Sequence, residues 1–193
     1  PKGVLRKKNE LLRYSKRFKG RFGNLSTHLE RLKSLIGMVE VKKAVESQVK
    51  FLICNDGSDD HMMHTMITGP PGCGKTTLAR VLHGIWCNLM GSKLPFVALG
   101  RADLVAPYLG QTALKTKKCL NKHRGGVIFI DEFYSLVQEG SDSYGHEALD
   151  VLNVFMSEHT DTIIIAAGYK EKMKTIFSAQ PGLKRRFAWS FDI

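Results

Sequence analysis

Cysteine is scarce in this 193-residue chain, and acidic residues are few beside basic ones. The four cysteines, Cys54, Cys73, Cys87 and Cys119, include no C-x-x-C pair. Their spacing speaks against a disulfide-stapled secreted scaffold and for a reducing, intracellular compartment, with the cytoplasm expected. No apolar run approaches the ~18 residues of a membrane span, and the first residues hold no apolar signal core. His61 and His64 have no further metal ligands placed near them by the sequence, so no zinc site is expected. Internal repeats and low-complexity segments are also missing. What is present, 43% hydrophobic and 24% charged residues, fits one compact domain with a sizeable core.

Lys and Arg number 29 against 18 Asp and Glu, a formal net charge of +11. Such an excess raises the possibility of a nucleic-acid or acidic-surface partner. Its distribution narrows that reading. Residues 1–24 carry nine basic residues against the single Glu10, or +8, and the remaining chain carries 20 against 17, or +3. The chain therefore reads as a basic N-terminal arm, residues 1–24, followed by a body, residues 25–193. Leu11, Tyr14, Phe18 and Phe22 recur at three- and four-residue steps. The arm forms either a basic amphipathic helix on a partner or a solvated extension.

Along the body, Leu25, Leu29 and Leu32 define one helical face over Leu25–Leu35, and Val41, Val45, Val49 and Leu52 define a second helix. Residues 55–60 form a polar break. Short apolar runs then alternate with helical patterns. Strands are predicted over Met63–Thr68, Phe96–Leu99, Val127–Ile130, Thr162–Ala167 and Ala188–Ile193. Helices are predicted over Lys75–Met90, Gln111–His123, His146–Ser157 and Glu171–Ser178. Continuous apolar strands separated by helical crossovers imply an α/β fold with a five-stranded parallel sheet covered on both faces.

Gly69-Pro70-Pro71-Gly72-Cys73-Gly74-Lys75-Thr76, with Thr77 following, fits G-x-x-x-x-G-K-[ST] between a predicted strand and a predicted helix. The glycines let successive backbone N–H groups turn toward phosphate oxygens, and the helix N-terminus adds unpaired donors. Lys75 can reach the outer phosphates, and the Thr76 hydroxyl can take one position on Mg²⁺. Val127-Ile128-Phe129-Ile130-Asp131-Glu132 supplies a buried strand ending in two carboxylates. At the carboxyl end of a parallel sheet these would face the phosphate loop, with Asp131 holding Mg²⁺ and Glu132 acting as base toward the attacking water. Taken alone, this second motif is equally compatible with a helix cap after an ordinary strand.

Together with Ile36-Gly37-Met38 upstream and Gly182-Leu183-Lys184-Arg185-Arg186-Phe187 downstream, these motifs resemble the AAA+ ATPases. The similarity is greatest to the group of stage V sporulation protein K and red-type Rubisco activase, and extends to AAA proteins of large DNA viruses. Further matches lie at Arg101–Val105, Tyr108–Ala113, Gly125–Val127, Tyr134–Leu136, Ala167–Tyr169 and Gln180–Leu183. The resemblance implies a three-layer P-loop NTPase fold, ATP and Mg²⁺ as ligands, and a homo-oligomeric, hexameric ring. It also implies that Ile36 and Met38 line the adenine pocket and that Arg186, or less readily Arg185, is an arginine finger for a neighbouring subunit. Without the family, both arginines read as a basic helix end. Tyr108-Leu109-Gly110 corresponds to a pore loop that grips polypeptide, or otherwise to a core tyrosine at a helix start. Glu139–Gly145 corresponds to a second, flexible pore loop. Where relatives place a small polar residue after the fourth strand, this chain has Ala166-Ala167-Gly168-Tyr169, which leaves Tyr169 as the candidate sensor. The sequence stops after the fifth predicted strand, so the family's helical lid is missing from it, either because it is a fragment or because it is a reduced variant.

Three functions follow as expectations. The first is an ATPase that remodels or threads a protein partner. The second is the same engine on nucleic acid, using the basic arm. The third is an ATP-gated scaffold with little turnover.

Overall fold

A computed structural model describes residues 24–54, 63–90, 93–108, 110–137 and 143–193. Almost all of the basic arm and the polar break at 55–60 lie outside them. The described chain forms two compact units. One takes in the described residues before His61 together with Arg80–Leu94, and the other comprises Met62–Ala79 and Pro95–Ile193.

The first unit contains α1 (Leu25–Ser34), α2 (Val39–Cys54) and most of the helix α3 (Lys75–Leu89). Leu25, Leu29 and Leu32 of α1 are buried, as are Val41, Val45 and Val49 of α2, so the predicted helical faces are the buried ones. Asn24 N–H donates to the Asn88 side-chain oxygen at 2.7 Å, and Lys42 donates to the Lys33 carbonyl at 3.0 Å and to that of Leu35. These bonds fix the two ends of α1, whose final carbonyls have no helical partner.

The second unit is built on a five-stranded sheet of β1 (Thr65–Thr68), β2 (Phe96–Leu99), β3 (Val127–Ile130), β4 (Ile163–Gly168) and β5 (Trp189–Asp192). Its order is β2-β3-β4-β1-β5, and every pairing is parallel. Between the strands run α4 (Arg101–Leu104), α5 (Thr112–Lys122), a 3₁₀ turn (Phe133–Leu136), α6 (Ser143–Glu158), α7 (Lys170–Ala179) and α8 (Pro181–Arg186). Register aligns Leu99, Ile130, Ala166 and Met66 across four strands, and Val97, Ile128 and Ile164 in the row behind. Because alternate strand residues face the same side, both rows share one sheet face. On that face they pack with Leu120 of α5, Leu149, Leu152 and Met156 of α6, Met173 of α7 and Leu183 of α8. Val127, Phe129, Ile165 and Ile67 point the other way and are also buried, which accounts for strands apolar at every position.

Three elements escaped the sequence reading because each is too short to show periodicity. The α4 turn is held by the Asp103 carboxylate, which accepts from Gly100 N–H at 2.8 Å. The α8 helix starts at Pro181, with the Gln180 side-chain oxygen accepting from Gly182 N–H at 3.4 Å. The 3₁₀ turn is held by the Arg101 guanidinium, which donates to the Ser135 carbonyl at 2.8 Å and to that of Leu136. The expected flexible loop over Glu139–Gly145 is also shortened: α6 begins at Ser143, and 138–142 lie outside the described residues. Gly145 is helical and tightly seated, since a Cβ there would stand 1.9 Å from the Leu136 carbonyl oxygen.

His64, just ahead of β1, does structural work. Its Nδ1 accepts from Ile164 N–H at 3.0 Å, so the ring is neutral, with Nε2–H directed at the Met156 carbonyl 3.4 Å away. Burial, aided by the Arg186 charge, lowers its pKa to about 4. The unfolded chain takes up this proton near pH 6.5 and the folded one does not. The contribution of His64 to stability is thus complete above pH 6.5, falls as pH drops toward 4, and is flat below. The loss across that window is on the order of 3 kcal/mol. Urea midpoints at pH 7 and pH 4.5 should separate more in the wild type than in His64→Leu; equal separations would exclude His64 as the source.

Candidate nucleotide site

The loop leaving β1 runs through the six residues 69–74 and enters α3 at Lys75. Gly72 and Gly74 make this possible with φ of 71° and 94°, a region that side-chain-bearing residues enter at a steric cost. Gly69 is constrained differently. A Cβ there would stand 2.9 Å from Cys73 Sγ and 3.0 Å from the Ile193 carbonyl oxygen, so only glycine fits between the loop and the residue after β5. Gly69 N–H donates to the Gly168 carbonyl at 3.2 Å, which ties the loop's first residue to the end of β4. Beside it, Thr68 Oγ1 donates to Asp192 Oδ1 at 2.8 Å and Lys170 Nζ lies 2.5 Å from Asp192 Oδ2. The Lys170 and Thr68 hydrogen bonds hold the Asp192 carboxyl below the usual carboxylate range.

A cleft of about 710 Å³ opens at the carboxyl ends of the strands. One wall is the phosphate loop and first helical turn, with Pro71, Gly72, Gly74, Lys75, Thr76 and Thr77; Gly69, Pro70 and Cys73 complete the loop outside the cleft lining. Facing it are Asp131 and Glu132, both exposed, at the end of β3. The strand order puts β4 between β1 and β3, so Gly168 and Tyr169 occupy the middle of the cleft. The Lys75 ammonium donates to the Gly69 and Pro70 carbonyls at 3.0 and 2.7 Å and stands 5.4 Å from the centre of the Tyr169 ring. Its positive charge is thereby held at the loop's mouth.

These residues suit a nucleotide phosphate chain with Mg²⁺. The position a side chain at Gly72 would take has no atom within 4 Å, and it faces the cleft, so the loop's backbone is open to a ligand. A lysine, a hydroxyl at the helix start and two carboxylates on the opposite wall provide donors for phosphate and oxygen ligands for a hard cation.

The structure adds groups that no motif flagged as site residues, among them two large polar side chains. Arg101 and Tyr134 both line the cleft. The sequence carried a signal for each, since both stand within the family-like segments Arg101–Val105 and Tyr134–Leu136, but nothing in the segments gave them a role. Arg185 and Arg186 lie on α8 and are not in the cleft lining; Arg185 is exposed and Arg186 half-buried. Ile36 and Met38 belong to the first unit, where Ile36 is 97% exposed and Gly37 and Met38 both have positive φ. Tyr108 is 68% exposed, so it is not a core tyrosine, and Gly110 beside it has φ of 73°. Among the described residues no cluster of His, Cys, Asp and Glu could hold a structural metal ion, and no helix is long and apolar enough to cross a membrane.

Comparison with known proteins agrees with this geometry. The chain is 36% identical over 172 residues to stage V sporulation protein K of Bacillus subtilis, covering 84% of this chain and 53% of that protein. It is 37% identical over 166 residues to the chloroplastic ribulose bisphosphate carboxylase/oxygenase activase of Cyanidioschyzon merolae, covering 81% and 57%. With the ESX-1 secretion system protein EccA1 of Mycobacterium tuberculosis it shares 45% identity over 130 residues, 65% of this chain and 23% of that one. The chain therefore spans about half the length, or less, of these relatives. Among solved structures, the FIGL-1 AAA domain in complex with ADP superposes with a TM-score of 0.57 at 21% identity, covering 83% of this chain and 54% of that one, which supports the fold. The sequence profile of the ATPase family associated with various cellular activities matches residues 65–192, the phosphate loop, the Asp131-Glu132 strand and the sheet that joins them. On that match, and on the parallel sheet with its cleft, the chain belongs to the AAA family of ATPases.

Proposed function

We propose that this chain is the nucleotide-hydrolysing module of an assembly that remodels or threads a protein partner. The observation that carries the proposal is the convergence, in one cleft, of Lys75 and Thr76 with Asp131 and Glu132. In this reading the loop N–H groups and Lys75 bind the phosphates, and Thr76 and Asp131 hold the metal. Bound Mg²⁺ would neutralise charge on the phosphate oxygens. Glu132 accepts the proton of the attacking water. Arg186, outside its own cleft, is offered to a neighbouring subunit, which makes turnover depend on assembly into a ring. Ile36 and Met38 as adenine contacts, and Tyr108 with Gly110 as a substrate-gripping loop, complete the proposal from family resemblance. The 68% exposure of Tyr108 supports a surface role for it.

Protein rather than nucleic acid is favoured as partner because the body carries only +3 of the +11 charge. A nucleic-acid role would rest on residues 1–24 and would show affinity falling steeply with salt. Two measurements test the whole reading. Turnover per chain should rise with protein concentration, and a rate that is low and independent of concentration would favour a nucleotide-gated scaffold. Lys75→Ala should weaken ATP binding by roughly 10- to 100-fold, the value of one or two charge-assisted hydrogen bonds. Unchanged affinity for a fluorescent ATP analogue would remove Lys75 from the site.

A further inference from the structure

Glu132 occupies an unusual backbone position. Its φ of 48° and ψ of 45° place a side-chain-bearing residue in the left-handed region. That conformation costs roughly 1–2 kcal/mol and persists where surrounding contacts over-determine it. The contacts are visible on both sides. Asp131 Oδ1 accepts from Glu132 N–H at 2.9 Å, and the Glu132 carbonyl accepts from Ser135 N–H at 2.6 Å. The result is that the Glu132 side chain and the Tyr134 ring, two residues on, turn toward the same cleft.

Tyr134 is fixed independently. Its ring lies against Gly168 so closely that a Cβ there would be 3.0 Å from Tyr134 Cδ1 and 3.0 Å from Met173 Sδ, so the ring needs a glycine at that strand position. It stacks on Tyr169 with centroids 5.3 Å apart and planes 28° from parallel. Lys172 Nζ caps both rings, at 4.7 Å from the Tyr134 centroid and 5.4 Å from that of Tyr169. The Tyr134 hydroxyl stands close enough to Glu132 and Tyr169 for both to act on it, and all three residues line the cleft. Burial raises the phenol to about 12, with Glu132 and Tyr169 adding to it, so the hydroxyl keeps its proton at neutral pH and is available as a donor toward the carboxylate.

We infer that Tyr134, clamped by Tyr169 and Lys172, is a positioning residue that aims the Glu132 carboxylate within the cleft, so that the aromatic pair sets the rate of the hydrolytic step without contributing to nucleotide affinity. A carboxylate on an exposed side chain with three torsions samples several directions. One donor on a ring immobilised by stacking selects among them, and orientation of a reacting group is worth orders of magnitude in rate.

This inference rests on the reading of Glu132 as the base, and the experiment separates the two. Tyr134→Phe keeps the stack and removes only the hydroxyl. It should lower kcat about tenfold or more while KM and the affinity for a fluorescent ATP analogue stay within about twofold. In the Glu132→Gln background the same substitution should change single-turnover hydrolysis less than about twofold, because the residue it aims is already disabled. The contact itself is read without turnover. In protein labelled with ¹³Cζ-tyrosine, the signal lost in Tyr134→Phe identifies Tyr134, and that signal should move in Glu132→Ala. A Tyr134 signal unmoved by Glu132→Ala, equal effects of Tyr134→Phe in both backgrounds, or a KM that rises with unchanged kcat would each overturn the inference while leaving the ATPase reading intact. A wild type that binds ATP without hydrolysing it, assembled or not, would overturn both.

Discussion

Glu132→Gln is expected to bind ATP as the wild type does and to lose turnover by ~10²–10⁴-fold, the range a positioned general base contributes. The substitution is nearly isosteric and leaves an acceptor for the Tyr134 hydroxyl, so the cleft keeps its shape while the proton acceptor is lost. Phosphate release and titration with a fluorescent ATP analogue give the two halves of the test. A variant that keeps more than a tenth of wild-type turnover would remove Glu132 as the base. Asp131, the neighbouring carboxylate, is given to the metal in this reading, and its Oδ1 accepts from Glu132 N–H.

The second large effect concerns Arg186. In the assembled protein, Arg186→Ala should lower turnover by ~10³–10⁵-fold, the range for an arginine placed on a transferring phosphoryl group. A trans-acting arginine makes a further demand. Mixing Arg186→Ala chains with Glu132→Gln chains, each nearly inactive alone, should restore activity wherever an intact Glu132 meets an intact Arg186 from its neighbour. With random pairing around a head-to-tail ring and independent sites, about a quarter of wild-type turnover returns. No recovery on mixing would place the arginine's action within its own chain or in folding. Arg186 also lies near the buried His64, whose neutral form its charge favours. Arg186→Ala should therefore be compared by melting temperature as well, and Arg186→Lys separates loss of charge from loss of the planar fork.

The parts of the site that were legible in sequence are those whose geometry is local. A glycine-rich loop between a four-residue strand and a helix specifies its own backbone, because Gly72 and Gly74 must take positive φ and Lys75 must fall in the first helical turn. Four apolar residues before Asp131 likewise place the carboxylates at a strand end. Tyr134, Arg101 and Tyr169 stand in family-like segments, yet their joint presence in the cleft is not legible in sequence. It depends on β4 standing between β1 and β3 and on the 3₁₀ turn after β3, neither of which leaves a periodic signal.

His64 illustrates the same division. As sequence, it is a histidine near a second histidine, with metal binding as the question to dismiss. As structure, it bridges Ile164 and Met156, residues about a hundred positions away, and acquires a titration that no local pattern encodes.

By itself, then, the sequence determined the phosphate loop, the paired carboxylates and the alternation of strands and helices, because each is dictated by backbone sterics and side-chain periodicity over a few residues. Tertiary structure alone decided that Arg101 and Tyr134 join the loop and the carboxylates in one cleft, that the Tyr134 ring packs on Gly168 and Tyr169, and that Arg186 lies outside the cleft lining. Those relations join residues brought together by strand order, where the determining forces are burial across the sheet and hydrogen bonds between distant segments.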